Sequence, residues 1–482
     1  MIRKKNLFVV AAVVLLTAVA VEGAGIWLAG VDAPLTYDEE AAYVETLEVT
    51  DVTEDSVTLN GELVHLRGYD NVDLYFEYRE EGTDNGWITV NSDDDVSSSQ
   101  EFSEEVTDLT DETAYEYRAV VEDTDVLDRG LIVGFITLTL EEGDGTETDP
   151  YIVSDWYDLF AVRNDMEAYY ELDQDINDQT TGYDDLVDTE EGWLPIGTEN
   201  VRFEGVFDGQ GHTIEDLYID RPDQNNVGLF GHVGHNTGET IIRDVCMDDA
   251  TVTGARGVGT LIGRVTGNDQ TLIENACAVD GEGTGTGAVG GLIGSFNSWR
   301  ITAGGRDNPI LRESFADMDV KDQDDVETPD KFGGLVGCGQ KSNVEDSYSL
   351  GNVSVENSGE RIGGLLGCID LRGEIIDSYS TGKVEAEASE SVGALVGNIE
   401  GVGGNAGSVE TSYSNQETSG QEELVGEIGD GDVTGGMRTT DEMTDYHNDY
   451  PDSYEDWDFD EIWQYGGVTD REGNSGYPAL RW

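Results

Sequence analysis

The sequence predicts an all-β chain: an antiparallel β-sandwich over residues 45–140, then a parallel β-helix of about seven coils over residues 201–415. Three observations predict it. Short segments with strict period-two alternation fill residues 45–140. A glycine-rich apolar block then recurs six times, and a second block with a fixed polar and aromatic spacing travels with it.

In the sandwich, Ser56 to Leu63 and Val72 to Tyr78 alternate apolar and polar residues, and turn-rich stretches such as Glu80 to Gly86 and Ser92 to Ser99 separate the strands. Several short alternating strands at close spacing are the pattern of two packed antiparallel sheets. Leu131 to Leu140 closes the unit, and residues 141–150, polar and acidic, read as a short extended linker.

The repeat decides the second fold. Its copies are Val227-Gly-Leu-Phe-Gly231, Val258-Gly-Thr-Leu-Ile-Gly263, Val289-Gly-Gly-Leu-Ile-Gly294, Phe332-Gly-Gly-Leu-Val-Gly337, Ile362-Gly-Gly-Leu-Leu-Gly367 and Val392-Gly-Ala-Leu-Val-Gly397. Successive leading glycines lie 31, 31, 43, 30 and 30 residues apart, and the long interval holds Asn297 to Asn308, read as an inserted loop. The companion block has third positions Asp216, Asp244, Asn275, Glu313, Asp346, Asp377 and Thr411, and fifth positions Tyr218, Cys246, Cys277, Phe315, Tyr348, Tyr379 and Tyr413. A unit of about 30 residues with three brief strands cannot bury its apolar side alone, but stacked units share a continuous interior. Equivalent residues then form ladders spaced about 4.8 Å apart. Tyr348, Tyr379 and Tyr413 are expected to stack inside the coil. A propeller needs longer repeats, and a leucine-rich repeat needs a different spacing.

The same logic orders the cysteines. Cys246 and Cys277 share one ladder position, and Cys338 and Cys368 share another. A disulfide needs Cβ atoms slightly closer than an in-register ladder gives, so two outcomes stay open: disulfides between stacked coils, or buried thiols. No CxxC pair supports zinc or redox chemistry.

Open coils expose strand edges, so end caps are expected. Residues 151–200 supply one, with Trp156, Leu159, Phe160 and Val162 at helical spacing. Residues 416–482 supply the other, with Trp457, Phe459, Ile462 and Trp463 placed to cover or flank the last coil.

Charge sets the medium. The chain has 25 basic and 103 acidic residues, a formal charge of −78, and only 6 lysines. Such a surface repels nucleic acid and anionic membrane faces, and repels itself in dilute salt. In molar salt the screening length falls to about 3 Å, so the composition fits a halophilic protein. Residues 1–31 open with Arg3, Lys4 and Lys5, followed by an apolar run from Leu7. This segment reads as a signal peptide or, if not cleaved, an N-terminal membrane anchor, with all that follows outside the cell.

These residues carry a family resemblance. The Gly-Gly-Leu-Val-Gly block with Asp346-Ser-Tyr-Ser349 resembles the GLUG motif of bacterial and archaeal surface proteins, and Phe203 to Ile214 resembles the opening coil before such arrays. Asp149 to Val153, and Thr439 to Met443 with Gly476 to Leu480, resemble the flanking segments. Leu109 to Arg118 resembles the fibronectin type III signature, with Asp111 in place of its proline and Tyr115 at the tyrosine corner. The usual strand B tryptophan is missing beside Gly61. The resemblance implies a right-handed β-helix in adhesin-like and protease-associated settings, of haloarchaeal type, and implies no catalytic residue.

His65, His212, His232, His235 and His447 form no HExxH. His232 and His235 read as exposed turn histidines. Asp208-Gly-Gln-Gly-His212 is similar to motifs of polysaccharide-cleaving β-helices but lacks their companions. Asp317 to Val326 reads as a solvated acidic turn rather than a calcium loop. Asn352 heads the one Asn-x-Ser/Thr sequon with a permitted middle residue, a candidate glycosylation site. The expectation is a non-catalytic extracellular protein, anchored at the cell surface or secreted, that serves adhesion or cell-envelope interaction through the β-helix, with no catalytic, cofactor or metal residue assigned. Its partner is a surface glycan or envelope protein, not nucleic acid. A polysaccharide-active enzyme on the same scaffold and a purely structural envelope component are the alternatives.

Overall fold

The computed structural model describes residues 42–481 apart from 82–85, 139, 141, 236–237, 299–307, 325, 327, 387–388, 402–404, 446–453, 455–456 and 472. The leader of residues 1–31, most of the Asn297 to Asn308 loop and His447 lie outside the described residues. No helix among the described residues is long and apolar enough to cross a membrane.

Residues 43–136 form a sandwich. One sheet joins Tyr43–Thr46, Ser56–His65 and Gln100–Thr107; the other joins Ile88–Val96, Val72–Glu80 and Ala114–Glu122, with Val126–Arg129 and Val133–Ile136 added to the last. Alternation in Ser56–His65 sends Val57, Leu59 and Leu63 inward, all fully buried. Gly61 sits against the Phe102 ring, and a Cβ there would lie 2.8 Å from it. Phe102 in turn stacks on Phe76 with centroids 4.8 Å apart, so these rings fill the sandwich core beside Gly61. The Tyr115 hydroxyl accepts from the Thr110 amide at 3.0 Å.

From Tyr151 onward the chain winds into a right-handed parallel β-helix. One face carries seven parallel strands in order, from Phe230–Val233 through Ile262–Gly267, Ile293–Ser298, Val336–Gln340, Leu366–Asp370 and Val396–Ile399 to Val425–Ile428. Val227, Leu229, Leu261, Leu292, Leu335, Leu365 and Leu395 line the interior without exposure. The repeat glycines are forced by close approach: a Cβ on Gly333 would lie 2.1 Å from the Val336 carbonyl oxygen.

The corners explain the polar column. Asp244, Asn275, Glu313, Asp346, Asp377 and Thr411 all have left-handed backbone, φ 43–53°. Asp and Asn tolerate that region better than other residues with a Cβ, hence their dominance. A second corner holds Asp216, Asp249 and Asp280, and a third holds Asn226, Gly257, Ala288, Lys331, Arg361 and Ser391. This corrects the alignment read from sequence: Cys246 pairs with Thr213, while Tyr218 pairs with Thr251, so Asp216 and Tyr218 belong one corner later.

Charge is also laddered. Asp208, Arg243, Glu274, Arg312 and Glu345 stand in register on successive coils. Arg243 meets Asp208 at 2.7 Å, and Arg312 meets Glu274 at 2.5 Å. Opposite charges directly across strands are favourable and like charges unfavourable, so the alternation helps set coil order.

Cys246 is in register with Cys277, and Cys338 with Cys368. Each pair is disulfide-bonded, with Cα–Cα distances of 4.4 and 4.7 Å.

The N-terminal end is closed. Asp155 caps the helix Trp156–Ala161 by accepting from the Asp158 amide at 2.9 Å, and Trp156, Leu159, Phe160 and Val162 are fully buried. The sandwich packs on this cap rather than standing off from it. Asn164 exchanges two hydrogen bonds with Ile136, the Met166 amide donates to Glu48 at 3.0 Å, and Arg221 reaches Glu81 at 3.3 Å. Residues 142–150 are not an extended tether. They turn on themselves through Asp144 and Asp149, and the Tyr169 amide bonds the Gly145 carbonyl, because the first coil needs partners at its edge.

The tyrosine column corrects another expectation. Phe315, Tyr348 and Tyr379 stack at 4.8 and 4.9 Å with rings nearly parallel, but outside the coil. They form a separate apolar cluster with Tyr413, Tyr454, Trp457, Trp463 and Tyr477. Ser380 and Ser414 point inward instead, where both hydroxyls bond the Ala394 carbonyl. The tail covers this aromatic stripe as the antiparallel hairpin of Trp463–Thr469 and Ser475–Leu480, and so flanks the last coils.

Candidate binding groove

A groove of about 490 Å³ opens on the side of the first coils. The cap contributes Tyr183, Asp188, Thr189 and Glu190; the second corner and its following strands contribute Asp216, Leu217, Tyr218, Asp249 and Thr251. Tyr183 opens the short helix Tyr183–Leu186, which begins at Gly182 with φ 89°. Its hydroxyl donates to the Asp216 carbonyl at 3.0 Å, which pins the cap to the coil wall. Tyr218 opens the strand Tyr218–Arg221, in register with Thr251 of the next coil. Both rings pack against the core while staying half-buried, so each keeps part of its surface in the groove.

The electrostatics are uniformly negative. Burial raises the Tyr183 and Tyr218 hydroxyl pKa, and nearby carboxylates add to it, Asp216 for the first and Asp220 for the second. Beside the groove, Glu215 and Asp248 pair across coils, and each is raised by burial and then by neighbouring carboxylates. Aromatic faces with fixed oxygen acceptors suit a ligand that offers hydroxyl or ammonium donors along with an apolar face.

The sequence-marked residues fall elsewhere. Asp208 accepts from the Gln210 amide and holds Arg243, while His212 bonds Asp175 at 3.0 Å, so this stretch braces the opening coils. His232 is buried on the seven-stranded face, not exposed in a turn. Its Nε2 lies 3.0 Å from the Thr266 hydroxyl, and burial holds its pKa well below the usual value. His235 lies 3.1 Å from Glu204. Among the described residues no three His, Cys, Asp or Glu side chains are grouped to hold a metal ion.

The acidic stretch from Asp317 is largely a strand, Phe315–Asp322, with Met318 and Val320 buried. Asp317 and Asp319 bind Arg471 of the tail. Alternation puts its carboxylates on the outer face, which sequence composition alone disguised as a turn. The Asn352 amide donates to Asp319 at 3.3 Å and its oxygen accepts from the Lys383 amide, so the sequon lies within the coil wall. The groove is hidden in the sequence because the companion-block spacing aligns Asp216 and Tyr218 with Asp244 and Cys246, one corner too early. The signal was the triplet Asp216, Asp249 and Asp280.

No family model matches the chain. It is 29% identical to a provisionally named Gly-rich membrane protein of Evansella cellulosilytica over 415 residues, 67% of this chain and 44% of that protein. It is 35% identical to halomucin of Haloquadratum walsbyi over 131 residues, 26% of this chain and 1% of that protein. The chain thus spans less than half the length of either relative. Among solved structures, a provisionally assigned immunoglobulin A1 protease from Bacteroides ovatus is 21% identical, with 71% of this chain and 95% of that chain covered at a TM-score of 0.49, a likeness that carries no functional weight. By sequence, the chain is similar to proteins named as a membrane protein and as a halomucin.

Proposed function

We propose that this is a non-catalytic protein of a haloarchaeal type of cell surface, which holds a glycan in the groove between its cap and first coils. On this reading the coils are GLUG-type repeats, and the sandwich is a fibronectin type III-like spacer fixed to the capped end. The observation that carries the reading is the pairing of Tyr183 and Tyr218 with Asp188, Glu190, Asp216 and Asp249 around one groove. Half-buried rings offer flat apolar faces for sugar C–H groups, and carboxylates accept from hydroxyls. The names of the two sequence relatives support a surface setting.

The test is glycan-array binding of the chain in molar salt, followed by titration of the best sugar against Tyr183→Ala and Tyr218→Ala. Each substitution is expected to weaken binding by about tenfold, the loss of one stacking face. Unchanged binding in both variants, or no sugar bound, would sink the proposal. A second reading rests on the four carboxylates, since glycoside hydrolysis uses two flanking the bond. Release of reducing sugar from a bound glycan would favour it.

A further inference from the structure

The two ends of the β-helix differ. At the first coil, Tyr151–Val153 is covered: the Ile152 amide bonds the Glu142 carbonyl, and the cap helix lies over the interior. At the last coil, Val425–Ile428 and Asp432–Arg438 each pair on one side only, with Val396–Ile399 and Ser408–Asn415, among the described residues. The tail flanks this end along the aromatic stripe.

Among the described residues, the exposed groups there are interior groups without a coil above them. Ile428 is in register with Ile399, which is fully buried, yet Ile428 is 50% exposed. Val433 and Met437 stand above the buried Val409 and Ser414 and are only half-covered. An uncovered strand edge over an apolar interior is a template for further β pairing.

We infer that a second copy of this chain docks on that end, tail to tail about a two-fold axis. Because the opposite end is closed, a head-to-tail stack is excluded. The edge strand is self-complementary when run antiparallel to itself about Gly435. Asp432 then faces Arg438 of the second copy, Arg438 faces Asp432, and Val433 faces Met437 in both directions. Two opposite-charge pairs and two apolar pairs form at once, and the two interiors become one. Glu427 and Asp430 lie near the same end, so two copies repel in dilute salt and associate when salt screens them.

The experiment is sedimentation equilibrium of the full chain over a wide concentration range in molar potassium chloride. A monomer–dimer equilibrium is expected. Asp432→Arg and Arg438→Asp alone should each weaken association about fivefold, since each turns two attractive pairs repulsive. The double variant restores both pairs with their signs exchanged and should return association to the original level. Ile428→Arg should weaken it as well. Unchanged far-UV circular dichroism shows that each variant folds, and hydrogen exchange at the Val433 and Met437 amides should slow as concentration rises. A chain that stays monomeric at every concentration, or a double variant no better than the single ones, overturns the inference.

Discussion

The indole nitrogen of Trp463 donates to Asp346 at 2.9 Å, joining the tail to a corner residue of the coil wall. Trp463 is fully buried in an aromatic cluster separate from the coil interior. Trp463→Ala should therefore release the tail and leave the β-helix folded. Removing a buried tryptophan costs roughly 3–5 kcal/mol, enough to detach a short hairpin. Limited proteolysis is expected to cut the variant after about residue 438 and leave a stable core. Loss of the whole β signal in circular dichroism would refute the two-cluster description.

The cross-coil cysteines set a second expectation. Each bond closes a loop of 31 or 30 residues. Such a loop corresponds to about 3–4 kcal/mol in the chain-entropy account. Cys338→Ser with Cys368→Ser should lower the denaturation midpoint measurably, and thiol titration of the denatured, unreduced chain should find no free thiol. Four titratable thiols would mean that the pairs are reduced.

Stability should fall as pH rises through neutrality. Burial raises Asp346 to about 7, with Asp377 adding to it, and burial likewise raises Glu48 to about 7. Glu81 is raised by burial and then by Glu116. In the unfolded chain these carboxyls ionise near their ordinary values of about 4. Between about 4 and 7 the folded state holds protons that the unfolded state has lost, so unfolding free energy decreases with increasing pH. Melting temperature in molar salt should be higher at pH 5 than at pH 8. Asp346→Asn, which keeps an oxygen for Trp463, should flatten part of that slope. A melting temperature that climbs from pH 5 to 8 would contradict the assignment.

Ionic strength should act in the opposite sense to its effect on ordinary surface ion pairs. With 103 acidic and 25 basic residues, repulsion outweighs attraction. Screening shortens from about 10 Å at tenth-molar salt to about 3 Å at molar salt. Dilution into low salt should lower the melting temperature, and equal osmolarity of sucrose should not replace the salt.

The coil stack was legible because one period of about 30 residues places identical chemistry at identical heights. Cys338 over Cys368 and Tyr348 over Tyr379 could be read directly, and both are in register. Which way a column faces was harder. The left-handed residue at Asp346 and Asp377 breaks the inside–outside alternation, so the serine after each tyrosine turns inward and the tyrosine turns out. The apolar column then looked like interior because its cover comes from a tail that shares none of the repeat. The first coil was misaligned for a similar reason: Gln210 and Gly211 take the corner that Asp244 takes later, and no repeated letter marks them. That one-corner error hid the groove. His232 misled as well, since the glycines around it suggested a turn where they serve close coil contacts.

The row Asp208, Arg243, Glu274, Arg312, Glu345 bears on how such an array lengthens. Duplicating one coil would set arginine on arginine or carboxylate on carboxylate, whereas duplicating two adjacent coils preserves the sequence of signs. Within that row, growth by pairs is therefore the route of least electrostatic resistance.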